Sequence, residues 1–431
     1  MTHSVNHFHA PTNYKTSAGA VTILTCTILM ALISIAILYL NRGVITDQQI
    51  ASNQVKSITA AAAAEAGIEW AIGMLNAPNT IDGACNLNPS TATLAFRDIY
   101  GVAASTPAAA PSCKIFTQNT PPTLQCSCPI AGATPLPSSE LPGFSVAISK
   151  ITSDPDALQL AATGCTAFSG VCTPSLATSN GGPDAIASVK IMVKLRPLLR
   201  SSPSAAMTCA GNCQLGSGSI TLRNTSLAAN GILINAGGTA TQLPNTAITL
   251  PGTPAANAVI SGDSSLAQLK ASDPSCTKGE VFKAFFGATI DEYKASPSVF
   301  PLPTCSGATC ATAIQQAISQ GWRNFYFPSG VTINSNVSLG SSNDPITIVA
   351  DGNSSVRLNG NAQIFGLLFV NRADVDFQGT GSMNIQGGLM SCEDLTATGN
   401  GAISYDYNII NTARKTAGTY AKIPGSWSAL Q

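Results

Sequence analysis

The sequence predicts an α+β, β-rich chain: a long N-terminal transmembrane helix, a small antiparallel sheet, and a C-terminal β-solenoid-like domain with a helical insertion. Three observations predict it. No charged residue lies between Lys15 and Arg42, and the helical pattern continues to Leu75. The runs Phe144–Ile148 and Val189–Leu195 alternate apolar and polar side chains with the period of half-buried strands. Towards the C-terminus, segments centred on Gly360, Gly379 and Gly399 repeat a strand–turn–strand pattern.

The helix comes first. Ala18–Leu40 is long enough to cross a hydrocarbon core of about 30 Å at about 1.5 Å per residue. Val44–Ile50 then leads into Ala60–Ala64 and Glu65–Ile72, and the first proline beyond the apolar run is Pro78. A single helix from about Ser17 to Leu75 would extend on the order of 85 Å, half lipid-soluble and half amphipathic. A removable signal peptide fits poorly. Its apolar core would be shorter, and Tyr39-Leu40-Asn41-Arg42 is not a small-x-small cleavage site.

Composition narrows the function. The chain has 21 basic and 21 acidic residues among 431, a net charge of zero. It therefore lacks the basic footprint that nucleic acid would require. With 37 glycines and 26 prolines, short strands and many turns are expected. Of 13 cysteines, Cys26 lies in the apolar span, and the remaining even number fits a disulfide framework in an oxidising compartment. Cys165/Cys172, Cys209/Cys213 and Cys305/Cys310 are close enough in sequence to be local pairs. The partners of Cys85, Cys113, Cys126, Cys128, Cys276 and Cys392 stay open. These cysteines place the large C-terminal part outside the cytoplasm and the short N-terminus inside.

All three histidines, His3, His7 and His9, fall in the first nine residues. Beyond them a Ser-His-Asp triad, a Cys-His pair or a His-based zinc site cannot be built. Cys126/Cys128 and Cys209/Cys213 lack a second ligand pair at zinc spacing, so neither a metal nor another cofactor is expected.

The segments follow in order: 1–19 a leader, 20–78 the transmembrane and extended helix, 79–203 disulfide-tethered loops and the small sheet, 204–431 the Gly/Asn-rich solenoid-like domain. The first loops are proline-rich, with a short helix around Ala95–Tyr100. The two alternating strands would fold onto the helix Val44–Leu75. In the repeats, Leu358-Asn359-Gly360 aligns with Phe377-Gln378-Gly379 and Ala397-Thr398-Gly399, so Ile364, Met383 and Ile403 would stack inside. Helical spacing in Val281, Phe282, Phe285, Phe286, Ile290 and Tyr293, and again in Ala311–Ile318, marks an insertion at about 280–320 that would cap the solenoid.

Several motifs resemble the PilX-type minor pilins of type IV pili, related to the K-type pseudopilins of type II secretion. They are Gly19-Ala20-Val21 opening the apolar helix, the Ala-Ala-Glu-Ala-Gly run at 63–67, Phe285-Phe286-Gly287 with Asp291-Glu292-Tyr293-Lys294, Val349-Ala350-Asp351-Gly352, Asn359-Gly360-Asn361-Ala362, and Ile423-Pro424-Gly425-Ser426-Trp427. The resemblance implies cleavage by a prepilin peptidase after Gly19, leaving Ala20 as the N-terminus. It implies an inner-membrane precursor with its C-terminal part in the periplasm. Its expected partners are other minor pilins and the major pilin, through the helix, and a large tip adhesin.

The chain departs from the family at Leu24, where prepilins usually carry glutamate, and only Lys15 is basic near Gly19. That glutamate compensates the N-terminal ammonium of a neighbouring subunit within an apolar bundle. A subunit with leucine there suits the position with nothing above it. The expected function is thus a minor pilin that helps initiate assembly at the pilus tip and contributes to adhesion.

Other chemistry is weaker. Glu65 and Glu69 stand i,i+4 on a helix face that offers no cleft for paired-carboxylate hydrolysis. Asp374 and Asp376, with Arg372 near them, fit the calcium site of a β-helical polysaccharide lyase only as a distant alternative. No enzyme activity is expected. The nearer alternatives are a membrane-anchored surface adhesin and a minor pseudopilin of type II secretion.

Overall fold

The computed structural model describes residues 18–430 except 90–93, 103, 105–108, 118, 120, 131–135, 173–184, 242–245, 303–304, 306, 353–355, 373, 379–382 and 417. It divides into two compact units, 1–58 and 59–431. The described part of the first is helix alone, belonging to α1 (Ala18–Asn76). Every side chain from Val21 to Leu40 is exposed.

The second unit begins where α1 becomes alanine-rich. Ala60, Ala64, Ile68, Ala71 and Leu75 recur at three- and four-residue spacing and are all buried, forming one apolar stripe. The stripe packs on an antiparallel sheet. Its sequential strands are β1 (Ser112–Phe116), β2 (Thr123–Ser127), β3 (Gly143–Ile151), β4 (Asp154–Cys165) and β5 (Ile186–Arg196). Their spatial order is β2-β1-β3-β4-β5. Alternation decides which face is covered: Val189, Ile191, Val193 and Leu195 of β5 are buried, whereas Lys194 and Arg196 are exposed. At Gly67 an added Cβ would stand 2.9 Å from the Phe144 ring, so the missing side chain lets helix and sheet approach.

The strands that contain Phe144–Ile148 and Val189–Leu195 are separated by β4, which pairs with both β3 and β5. The segment 204–431 contributes strands to both sheets. Its last segments, Thr419–Lys422 and Ser428–Leu430, both pair antiparallel with β5. The reason is local: Tyr420 is buried, and Asn76 exchanges hydrogen bonds of 2.6 and 3.0 Å with its backbone, which satisfies the outer edge of that strand.

Between these segments lie short parallel strands arranged in columns. In one column Phe300, Phe325, Ile348, Leu368, Leu389, Met207, Ile234 and Val259 pair in succession. A second column runs Leu339, Ile364, Ile385, Ile403, Leu222 and Ala247. Both columns break sequence order: the strands of 207–260 follow those of 299–405 in space. Most of these side chains are wholly buried, each contributing about 1.5–3 kcal/mol in transfer terms.

The expected register of the repeats shifts. Ile385 rather than Met383 stands between Ile364 and Ile403, and Gly399 rather than Ala397 faces Phe377. The corners differ in length, since Leu395–Tyr405 runs through its corner as one strand with an irregularity between Ala397 and Gly399. Gly379, the middle repeat glycine, lies outside the described residues. At another corner Gly366 and Gly387 pair with φ near +138° and +139°. A Cβ on Gly387 would lie 1.9 Å from the Gly366 carbonyl oxygen, so only glycine permits this stacking.

The helical insertion begins earlier than the pattern indicated, with Ser264–Ser272, Glu280–Phe286, Ile290–Ala295 and Gly307–Ser319. Phe282 and Phe286 stack at 4.1 Å and meet Phe369 and Tyr293 edge-on, which fixes the insertion to the parallel strands.

Candidate functional site

The first candidate surface is the apolar part of α1. Leu24 is 60% exposed, and Met30 and Leu38 are more exposed still. Thr25 and Thr27 donate their hydroxyls back to the carbonyls of Val21, Thr22 and Leu24 at 2.9–3.0 Å. That leaves no side-chain donor free at those two positions, as an apolar surrounding demands. By length and apolar composition the helix is sufficient to cross a membrane. Gly19 and Ala20 lie in its first turn, and Cys26 is a free, exposed thiol. Such a surface is suited to an apolar surrounding such as a bilayer.

A second surface lies where α1 leaves the sheet edge. An open groove of about 320 Å³ is bordered by Glu65 and Glu69 of α1, Ile191 of β5, and Lys422 and Trp427 of the C-terminal segment. Glu69 is ion-paired with Lys422, and Trp427 is 55% exposed. The two glutamates therefore share a contact surface in which one carboxylate is already engaged. The sequence pattern places Glu65 and Glu69 on one helix face but gives no sign of Lys422. Its position 353 residues from Glu69 left no local signal.

The carboxylates Asp374 and Asp376 join neighbouring strands. Asp374 accepts from the Thr396 amide at 2.9 Å, and Asp376 accepts from the Thr398 hydroxyl at 2.9 Å, with Arg357 3.9 Å away. Arg372 does not meet them; its guanidinium donates to the Asp351 carbonyl at 3.1 and 3.3 Å. Among the described residues, no group of His, Cys, Asp and Glu is arranged to hold a metal ion.

The cysteines fall into six bridges. Cys165–Cys172, Cys209–Cys213 and Cys305–Cys310 join at Cα separations of 5.7, 5.7 and 4.8 Å. The open partners resolve as Cys85–Cys128, Cys113–Cys126 and Cys276–Cys392. Cys126 and Cys128 thus bind different partners. Cys126 lies within β2 directly opposite Cys113 of β1, whereas Cys128 lies just past the end of β2 and meets Cys85.

Burial shapes one further contact. Arg97 is buried, donates to the Thr416 carbonyl at 2.7 Å and to the Gly418 carbonyl, and lies 6.0 Å from the Tyr420 ring centroid. Desolvation lowers the pKa of the guanidinium, which the fields of Tyr420 and Asp98 partly offset. Arg97 joins the helix Phe96–Tyr100 to the returning C-terminus.

No family model matches the chain, and no curated protein does. Among solved structures it is similar to the competence-associated pilin ComZ from Thermus thermophilus, at 10% identity over 87% of this chain and 97% of that one. The TM-score is 0.20, an overlap too slight to bear on fold or function.

Proposed function

We propose that this chain is a minor pilin of a type IV pilus that helps initiate assembly at or near the tip and contributes to adhesion there. One observation carries the reading. Residues 21–40 of α1 leave a charge-free, mostly apolar surface uncovered, while residues 60–75 of the same helix are built into a sheet core. A bilayer would cover that surface in the precursor, and the helices of other minor pilins and the major pilin would cover it in the fibre. A prepilin peptidase would cut after Gly19. Leu24, which cannot neutralise the ammonium of a subunit above, favours the topmost place. The parallel columns are read as a β-solenoid facing outward, where a large tip adhesin could meet them.

N-terminal sequencing of protein from membranes containing prepilin peptidase tests the processing step, with Ala20 expected as the first residue. Gold labelling against residues 330–431 tests placement. Label confined to fibre ends, with fewer pili when the protein is lost, is expected. Label along the shafts, or normal piliation without the protein, overturns the tip reading. Uncut protein retained in the envelope points instead to an anchored adhesin.

A further inference from the structure

We propose that the groove between the end of β5, residues 421–424 and the helix Glu280–Phe286 binds a short acidic peptide whose carboxylates alternate with apolar side chains. The groove holds about 520 Å³, within the range of ligand pockets. Its walls are apolar at Leu195, Pro197, Phe286 and Ile423, and four cations line it: Lys194, Arg196, Arg200 and Lys422. In a chain with zero net charge, that is a local concentration of one sign.

Two of the four are already engaged. Lys194 pairs with Asp154 at 2.5 Å, and Lys422 pairs with Glu69. Arg196 and Arg200 are exposed, and among the described residues neither guanidinium has an ion pair or a hydrogen bond. Both are anchored at the backbone. Arg196 sits opposite Thr419 in the sheet. The amides of Arg200 and Ser201 donate to the Phe285 carbonyl at 2.7 and 3.0 Å. Arg200's stem runs beside Gly287, where a Cβ would stand 3.4 Å from its Cβ and Cδ.

The lining selects the ligand. A guanidinium is matched best by a planar two-oxygen acceptor, which a carboxylate supplies in bidentate geometry. An inorganic anion would leave the apolar walls uncovered, and an uncharged segment would leave both guanidiniums without a partner. An extended peptide places like side chains about 7 Å apart on one face and unlike ones between them, so it satisfies both requirements. This inference does not depend on the assembly role, because purified protein suffices to test it.

The experiment uses the full chain in detergent micelles and a fluorescein-labelled Glu-Val-Glu-Val-Glu peptide, followed by fluorescence anisotropy. Saturable binding is expected, weakening as salt is raised, with no binding of the Lys-Val-Lys-Val-Lys counterpart. The Arg196→Ser/Arg200→Ser double variant should bind at least about tenfold more weakly, equivalent to about 1.4 kcal/mol. An Arg223→Ser control, at an exposed site elsewhere, should bind normally. Should the double variant misfold, each single variant is titrated with the same expectation of weakening. Equal binding of both peptides, or undiminished binding by the variants, overturns the proposal. So does arginine-dependent binding of phosphatidylglycerol vesicles in place of the peptide.

Discussion

Gly164 of β4 lies directly beneath Ala60 of α1: a Cβ built on the glycine would stand 2.1 Å from the Ala60 carbonyl oxygen and 2.4 Å from the Ala64 amide nitrogen. The helix backbone therefore rests on the strand backbone, with Ala162 of the same strand buried beneath it. Close approach, rather than large side chains, defines this part of the core.

Gly164→Val should be strongly destabilising for that reason. The obstruction is main chain on both sides, so no rotamer change relieves it. Overpacking of this kind costs about 1–3 kcal/mol, and a backbone clash belongs at the upper end. Chemical denaturation of the oxidised protein checks it. The neighbouring Ala161→Val, which alternates to the other face of the strand, should cost much less.

This contact also shows why β4 escaped the sequence reading. Leu158, Leu160 and Ala162 are buried with the period of two, but the second half of the strand contains Ala161-Ala162-Thr163-Gly164, whose small side chains mute the alternation. They are small because a helix lies on them, and that is tertiary information. The helix and the clean β5 pattern were readable because long apolar runs and large alternating residues carry their own signal. The repeats around Gly360 and Gly399 revealed a strand–turn–strand rhythm, yet unequal corners concealed the pairing of Ile364 with Ile385. The return of 419–430 to β5 and the order in which Met207 follows Leu389 depend on contacts between distant segments, which no local pattern records. Of the candidate surfaces, the apolar helix was legible residue by residue. The Lys422–Glu69 pair and the Arg97 contacts were not.

Asp273 should make stability fall in acid. Burial pushes its carboxyl up, but the amides of Lys278, Glu280, Gly279 and Thr277 together outweigh this and hold it below the ordinary value. The bonds from Thr277 and Gly279 measure 2.9 and 2.7 Å. A depressed pKa stabilises the fold above the unfolded value of about 3.9 and loses that contribution as pH falls through the folded value. Asp273→Asn should cost about 1.5–3 kcal/mol near neutrality, because one acceptor oxygen becomes a donor facing amides. It should also flatten the stability profile below about pH 4, as measured by urea unfolding across pH.

Arg97→Met keeps most of the side-chain volume but removes both donors. The Thr416 and Gly418 carbonyls then lose their charged partner at the point where the C-terminal segment joins the sheet. A loss of about 1.5–3 kcal/mol is expected. Amide exchange should show residues 418–422 opening before β5 does. Exchange that rises equally across the whole sheet would contradict this local role.

The bridge Cys276–Cys392 should matter more to stability than Cys305–Cys310. It closes 116 residues against 5, and the cost of closing a loop in the unfolded chain grows with its length. Both Cys276 and Cys392 are wholly buried, so reduction needs local opening, whereas Cys305 is partly exposed. The longer bridge also ties the helical insertion to the strand where Ser391 meets Cys209, at the place where the columns break sequence order. Nearby, Asn371 donates to the Cys276 carbonyl at 2.8 Å and to Asp351 at 2.6 Å, so loosening one contact releases the others. The Cys276→Ser/Cys392→Ser variant should lose about 2–5 kcal/mol, and Cys305→Ser/Cys310→Ser distinctly less. Under graded reductant, mass mapping should find the 305–310 bridge opened first and the 276–392 bridge among the last, with Cys26 labelled throughout. The reverse order of reduction, or equal stability losses in the two variants, would show that the columns hold together without this bridge.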